Sequence, residues 1–282
     1  MPLLSFFLLL LFLLFFIISG YHIAIDRIKG ISMYKKLFLA TLFFTSFSYS
    51  FINVEPPVTG EKEGIDAEVS LSADYHTGNS DKRSIGTSGK GQYNSKEWLL
   101  YFIAGYNYGE SNGKKDTDDG MVHLRYVHTL VDGLYDYELF YQTEFNAFQN
   151  IRIRNLAGSN LRRKVDIGFD KFYLGTGIFY EYQKPDALTE NNPLYKRMKL
   201  NTYLSFLKKF NAHVNVTYLG YYQPNIEEFS DYRVSQTLQL NNLLTENLTL
   251  SIELMHHYNS TPYENIEKSD LRSTVNLRYK LR

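Results

Sequence analysis

From residue 65 to the C-terminus, apolar and polar residues alternate along the chain. Ile65, Ala67, Val69, Leu71 and Ala73 are interleaved with Asp66, Glu68, Ser70, Ser72 and Asp74. Leu248, Leu250, Ile252 and Leu254 are interleaved with Thr249, Ser251 and Glu253, and the last segment repeats the pattern with Leu271, Val275, Leu277, Tyr279 and Leu281. A period of two is the signature of a strand with two unlike faces, and no stretch keeps a period of 3.6 over several turns. Strands of soluble proteins run about five or six residues, whereas a strand that crosses a bilayer needs about nine to eleven. The segments here run roughly ten to fourteen. The pattern therefore predicts an all-β fold: a closed, antiparallel, transmembrane up-and-down β-barrel with apolar residues facing lipid and polar residues facing the lumen.

Twelve strands are expected, near residues 65–77, 82–94, 97–109, 119–131, 136–147, 149–162, 171–183, 196–208, 212–223, 231–242, 247–259 and 268–281. An even number keeps both termini on the periplasmic side, with longer connections outside and short turns inside. Glu110–Asp118, Lys184–Tyr195, Gln223–Ser230 and Ser260–Glu267 are polar and long enough for outer loops. Ser95-Lys96, Lys209–Asn211 and Leu243–Glu246 suit periplasmic turns.

Two apolar runs precede the barrel. Leu3 to Ile18 is short for a bilayer-spanning helix and has no basic residue before it. The second has the layout of a secretory signal peptide: Lys35 and Lys36, an apolar Leu37–Phe44, then Ser48-Tyr49-Ser50 as a small-x-small cleavage site. The expected organisation is an upstream extension at 1–32 with translation starting at Met33, a signal peptide at 33–50, a short periplasmic segment at 51–64 and the barrel at 65–282. The rival is an anchor near residues 3–25. This organisation predicts export to the cell outer membrane through a cleavable signal peptide.

Composition narrows the chemistry. Thirty basic and thirty acidic residues cancel, so nothing points to a nucleic-acid surface. The absence of cysteine excludes disulfides and thiolate chemistry. Tyr (24) and Phe (20) are abundant, as suits a surface that is apolar at mid-height and wet at its rims.

Charge placement then suggests how the lumen is filled. Glu138 and Glu144 face Arg152 and Arg154 across the hairpin of strands five and six, where opposite charges attract. Closure of the barrel sets strand twelve beside strand one, so that Asp66 and Glu68 lie near Arg278 and Lys280, and Asp74 near Arg272. These are expected to act as ion pairs that stiffen the lumen. The alternative is a charged lining that biases ion passage.

The first hairpin carries Thr77-Gly78-Asn79-Ser80-Asp81, in which Gly78 and Asn79 tolerate the positive φ of a tight turn. This stretch, the aromatic strand ending Gly105-Tyr106-Asn107-Tyr108-Gly109, the Tyr137–Phe145 strand followed by an arginine strand, and Gly175-Thr176-Gly177 occur in this order. Together they resemble the YdiY-like family of salt-induced outer membrane proteins (domain of unknown function 481) over roughly residues 65–282. The resemblance implies an outer-membrane barrel without an assigned biochemical role, and it transfers no catalytic residue.

The sequence offers no complete catalytic, metal or cofactor constellation. His256 and Ser273 fall on the apolar faces of adjacent strands and would sit opposite one another, as in an outer-membrane lipid hydrolase, but no third member orients the histidine. His256 and His257 are adjacent and point to opposite faces, so they cannot chelate one ion together. Asp116-Thr117-Asp118-Asp119 lacks the spacing of a calcium loop. The expectation is a structural or envelope-stress barrel, with a small-solute channel second and a lipid hydrolase a distant third. The expected partners are outer-membrane lipid and lipopolysaccharide, periplasmic chaperones and the barrel assembly machinery, with no nucleic acid and no cofactor.

Overall fold

The computed structural model describes residues 63–76, 81–131 and 134–281, with the backbone alone for 74–76. The upstream extension, the signal peptide, most of the segment 51–64 and the turn residues Thr77, Gly78, Asn79 and Ser80 lie outside the described residues.

Twelve strands form: β1 (Gly64–His76), β2 (Lys82–Asn94), β3 (Trp98–Ser111), β4 (Lys114–Val131), β5 (Tyr135–Asn146), β6 (Ile151–Lys164), β7 (Lys171–Lys184), β8 (Tyr195–Lys209), β9 (Val214–Pro224), β10 (Tyr232–Leu243), β11 (Leu248–Asn259) and β12 (Ser269–Leu281). Each pairs with its sequence neighbours, and β12 returns to β1, so the sheet closes into a barrel. All pairings are antiparallel. Closure abolishes the open edges that a long sheet would expose. The start of β1 and the end of β12 share one end, the terminal end. The connections β1–β2, β3–β4 and their odd-to-even successors lie at the other, the loop end.

The alternation places side chains as the period-of-two rule requires. Leu139, Leu161, Leu174, Ile178, Val275 and Leu277 are among the exposed apolar residues on the outside. Glu138, Asn160, Glu181, Lys199, Asn201 and Glu253 are buried on the inside. Strand β3 departs from the rule of polar residues within. Its inward Leu99, Tyr101 and Ile103 join Val127 of β4 in a buried apolar cluster. The barrel is narrow enough for inward side chains of opposite walls to meet, so apolar residues find partners there as well as on the outside.

The stretch Glu110–Asp118, expected as an outer loop, is a hairpin. Strands β3 and β4 run past it and turn at Asn112 and Gly113, with φ of 51° and 72°. An Asn-Gly pair in the left-handed region is the preferred tight hairpin turn, and here it outweighs the charged run Lys114–Asp119. Lys115 bonds Asp118 at 2.6 Å on the extension. At the β5–β6 connection, Asn146 Oδ1 accepts from the backbone N–H of Phe148 and Gln149 at 3.0 Å and caps the 3₁₀ turn Ala147–Gln149. A register shift there pairs Asn146 with Ile151 and Glu144 with Arg154, and leaves Arg152 exposed.

Candidate functional site: the lumen and its outer vestibule

The middle of the lumen is filled by one network. Glu138 of β5 and Arg162 of β6 are both 0% exposed. Tyr203 of β8 and Asn160 of β6 both donate to Glu138, at 2.7 and 3.1 Å. Arg125 of β4 and Arg162 stand 3.6 Å from its two oxygens. Arg162 also bonds Asp136 at 2.6 Å, and its guanidinium lies 4.4 Å above the Tyr173 ring. Arg125 donates to the Tyr221 hydroxyl on β9 at 3.3 Å. The contacts thus span from β4–β6 on one wall to β8–β9 on the other.

The glycines of β7 make room for this crossing. A Cβ on Gly175 would strike the Tyr203 ring, and one on Gly177 would strike the Ser159 carbonyl oxygen. The Gly-Thr-Gly strand is therefore a close-approach feature of the filled lumen.

Above this layer, towards the loop end, lies a second charge system. Arg154 bonds Glu144 at 2.7 Å and Glu181 at 2.6 Å. Lys199, 0% exposed, reaches Glu181 at 3.5 Å and Asp231 at 3.4 Å. Arg197 bonds Asp231 at 2.6 Å. In the loop before β10, burial alone would raise the Asp231 pKa. The Thr261 hydroxyl at 2.6 Å, Lys199 and Arg197 outweigh burial and the nearby Glu181 carboxylate, and hold it below the ordinary value.

A cavity of about 160 Å³ opens from this system to the loop end, with Arg125, Phe140, Leu219, Tyr221 and Met255 deepest in it. Tyr263, from the β11–β12 connection, is buried at its mouth. Its hydroxyl donates to the Gln183 carbonyl at 3.4 Å, and its ring stacks on Tyr195 at 5.5 Å.

Of the charged residues singled out from sequence, Glu138, Glu144 and Arg154 enter these networks. Lys280 meets Asp66 at 2.7 Å and Arg278 meets Glu68 at 3.5 Å beside the seam. Arg278 also donates to Asn241 and to Ser251. Arg272 reaches Asp119 at 3.4 Å and Asp270 at 3.1 Å. The side chain of Asp74 lies outside the described residues, and β1–β12 pairing ends at Leu71–Leu277. Asp81, the described member of the turn motif, is exposed, and its N–H donates to Asn112 Oδ1 at 3.1 Å. Sequence reading missed Arg125, Asp136, Arg162, Glu181, Lys199, Tyr203 and Arg233. Their signal was parity: each lies on the inward face of its strand.

The histidine–serine pairing expected on the outer face also changes. Ser273 lies opposite Leu254, and His256 lies opposite Leu271. His256 Nε2 instead contacts Ser269 Oγ at 3.0 Å, with Gln236 Nε2 3.5 Å from Nδ1. The Tyr218 hydroxyl donates to Gln236 Oε1 at 3.0 Å, which turns the amide nitrogen towards the ring. A ring accepting at Nδ1 carries its proton on Nε2. His123 is buried in the lumen with Nδ1 2.9 Å from Gln142 Oε1, and His257 faces inward beside Ser235 at 3.1 Å.

The sequence profile of the family described as "Protein of unknown function, DUF481" matches residues 69–281. The chain belongs to that family. No curated protein matches the sequence. Among solved structures, the DUF481 chain is similar to a KdgM porin at 12% identity and a TM-score of 0.40, covering 77% of this chain and 99% of that one. A NanC porin gives 12% and 0.42, covering 76% and 97%. The translocator domain of the autotransporter NalP from Neisseria meningitidis gives 8% and 0.41, covering 77% and 87%. Likeness at this level carries no argument about what the DUF481 chain does.

Proposed function

We propose that this DUF481 protein is an outer-membrane β-barrel closed at mid-height by its own side chains, with a structural or envelope-stress role rather than a conducting one. The apolar exterior supports the membrane setting, because soluble proteins rarely leave so continuous an apolar surface exposed. Aromatic groups at both ends support it further. Tyr93, Trp98 and Tyr126 pack at 5.1 and 6.1 Å near the terminal end. Tyr222, Tyr232 and Tyr258 pack at 5.6 Å near the loop end. On β3, Trp98 and Tyr106 lie roughly 27 Å apart at about 3.4 Å per residue, close to the apolar band of about 25 Å typical of such barrels. In this reading the terminal end faces the periplasm. Lipid and lipopolysaccharide surround the barrel, and chaperones and the barrel assembly machinery deliver it. No reaction is assigned to it.

The observation that carries the closed reading is the Glu138 network, whose members come from facing walls and exclude water. Planar-bilayer recording of the full-length protein tests it. The expected result is no unitary conductance from the wild type. Steady single-channel steps would overturn it and favour the solute channel that the cavity at the loop end suggests.

A further inference from the structure

The second charge system is balanced by itself: the cations Arg154, Lys199 and Arg197 face the carboxylates Glu144, Glu181 and Asp231. Arg233 of β10 is a fourth cation facing the same Glu181 and Glu144 carboxylates, so four cations stand against three carboxylates. Its hydrogen bond goes to a neutral group, the Gln183 side-chain carbonyl, at 2.7 Å. A half-buried guanidinium served by one amide oxygen leaves most of its five N–H donors for something else. Arg233 lines the cavity at the loop end, and so does Arg154, whose Nη2 is buried without a hydrogen-bond partner.

The remaining walls say what kind of anion fits. Leu156, Leu219, Met255 and Phe140 are the apolar part of the cavity lining, which also holds Gln142, Thr237 and the carboxylates Glu144, Glu267 and Asp270, set against Arg125, Arg154, Arg233, Lys268 and Arg272. Its volume of about 160 Å³ is close to the roughly 150 Å³ that holds a benzene-sized body. A guanidinium binds a carboxylate through two parallel hydrogen bonds, which suits a planar head group held at one end of an apolar pocket. We propose that the outer vestibule is a binding site for a small organic carboxylate, whose head group meets Arg233 and whose apolar body, about one ring in size, rests among Leu219, Met255 and Phe140. Tyr263 stands at the mouth, held by its bond to the Gln183 carbonyl and its stack on Tyr195. The site lies above the mid-height closure, whose Arg125 and Tyr221 line its inner end.

Calorimetric titration of the full-length protein in micelles at neutral pH, with sodium benzoate as the probe, tests this. Saturable binding of one benzoate per barrel is expected, weakened by about tenfold or more in Arg233→Gln, the worth of one charge-assisted hydrogen bond. Arg233→Lys should keep part of the affinity. Benzyl alcohol, the neutral analogue, should bind the wild type about tenfold or more weakly than benzoate does, a comparison made on the wild type alone. Inorganic phosphate should bind far more weakly than benzoate, because it has no apolar body. No saturation by benzoate, equal binding of the alcohol or of phosphate, or a folded Arg233→Gln with wild-type affinity would each overturn the proposal.

Discussion

Tyr203 on β8 and Glu138 on β5 meet across the lumen, the tyrosine hydroxyl donating to the carboxylate at 2.7 Å. Two arginines, Arg125 and Arg162, share that carboxylate. Glu138 is thus the single anion between two guanidinium groups, and both are buried. Removing it leaves two buried guanidinium groups facing one another, with Asp136 still bonded to Arg162 and the Tyr221 hydroxyl to Arg125. Glu138→Ala should therefore destabilise the barrel by about 3–5 kcal/mol, the cost of breaking a buried ion pair on one side. Urea unfolding in lipid vesicles measures this. The same variant should give conductance steps where the wild type gives none, since with the missing side chain goes the Tyr203 contact, leaving Arg125–Tyr221 to join the two walls.

The glycines of β7 separate two ways of disturbing that closure. Gly175→Ala pushes against a side chain, the Tyr203 ring, which can move only by leaving Glu138. Gly177→Ala pushes against the backbone at Ser159 and Asn160, which cannot give without shifting β6. Overpacking of either kind costs about 1–3 kcal/mol. The expected difference lies in epistasis. Gly175→Ala should cost much less when Tyr203 is already alanine, and Gly177→Ala should cost the same in both backgrounds. Equal costs of Gly175→Ala in the two backgrounds would refute the contact.

The loop contact at Asp231 predicts an acid response. Its carboxyl is held below the ordinary value of 3.8. A depressed folded pKa stabilises the folded arrangement above the unfolded pKa, and that stabilisation is lost as pH falls through the folded value. Lys199, Arg197, Glu181 and the Thr261 hydroxyl face this carboxyl. Protonation releases Thr261 and loosens the connection after β11. The sequence has no cysteine, so a spin label at Glu267→Cys reports that loop alone. Its mobility should rise only as pH falls below 3.8, through the lowered value of Asp231, and already be high at neutral pH when Asp231→Asn is added. A label equally immobile with and without Asp231→Asn would sink the coupling.

Much of the barrel was legible because its two faces meet different solvents. A strand with lipid on one side and packed polar groups on the other writes a period of two over its whole length, as Leu271–Leu281 does. The departures come where that contrast fails. Strand β3 meets apolar residues on both sides, so Leu99, Tyr101 and Ile103 carry no sign of facing inward. On β4 the chain continues beyond the apolar band as a charged hairpin, and Lys114–Asp118 reads as part of a loop although Asn112-Gly113 marks the turn. The lumen networks were harder still. Cross-strand neighbours such as Glu144 and Arg154 follow from pairing, but Arg125–Tyr221 and Glu138–Tyr203 join strands far apart in sequence. Such contacts depend on barrel diameter and stagger, which no local pattern records.

The seam between β1 and β12 gives the most direct test of closure. Among the described residues, pairing there runs from Ala67–Leu281 to Leu71–Leu277, whereas β1 and β2 pair from Gly64–Asn94 to His76–Lys82. Closing the seam also joins residues near the two ends of the chain, so the loop-closure entropy against it is the largest of any pair in the sheet. The salt bridges Lys280–Asp66 and Arg278–Glu68 flank it. Directly opposed antiparallel residues have Cα atoms about 4.5–5.5 Å apart, a separation a disulfide can span. Ala67 and Leu281 face outward at the terminal end, so replacing both by cysteine spares every lumen ion pair. Oxidation of Ala67→Cys/Leu281→Cys should form an intramolecular disulfide in the native barrel. It should also slow urea unfolding, because the seam is where an antiparallel barrel with so short a closing pair should first part. Either single variant should show neither effect. A double variant that oxidises only between molecules would mean that the seam is open.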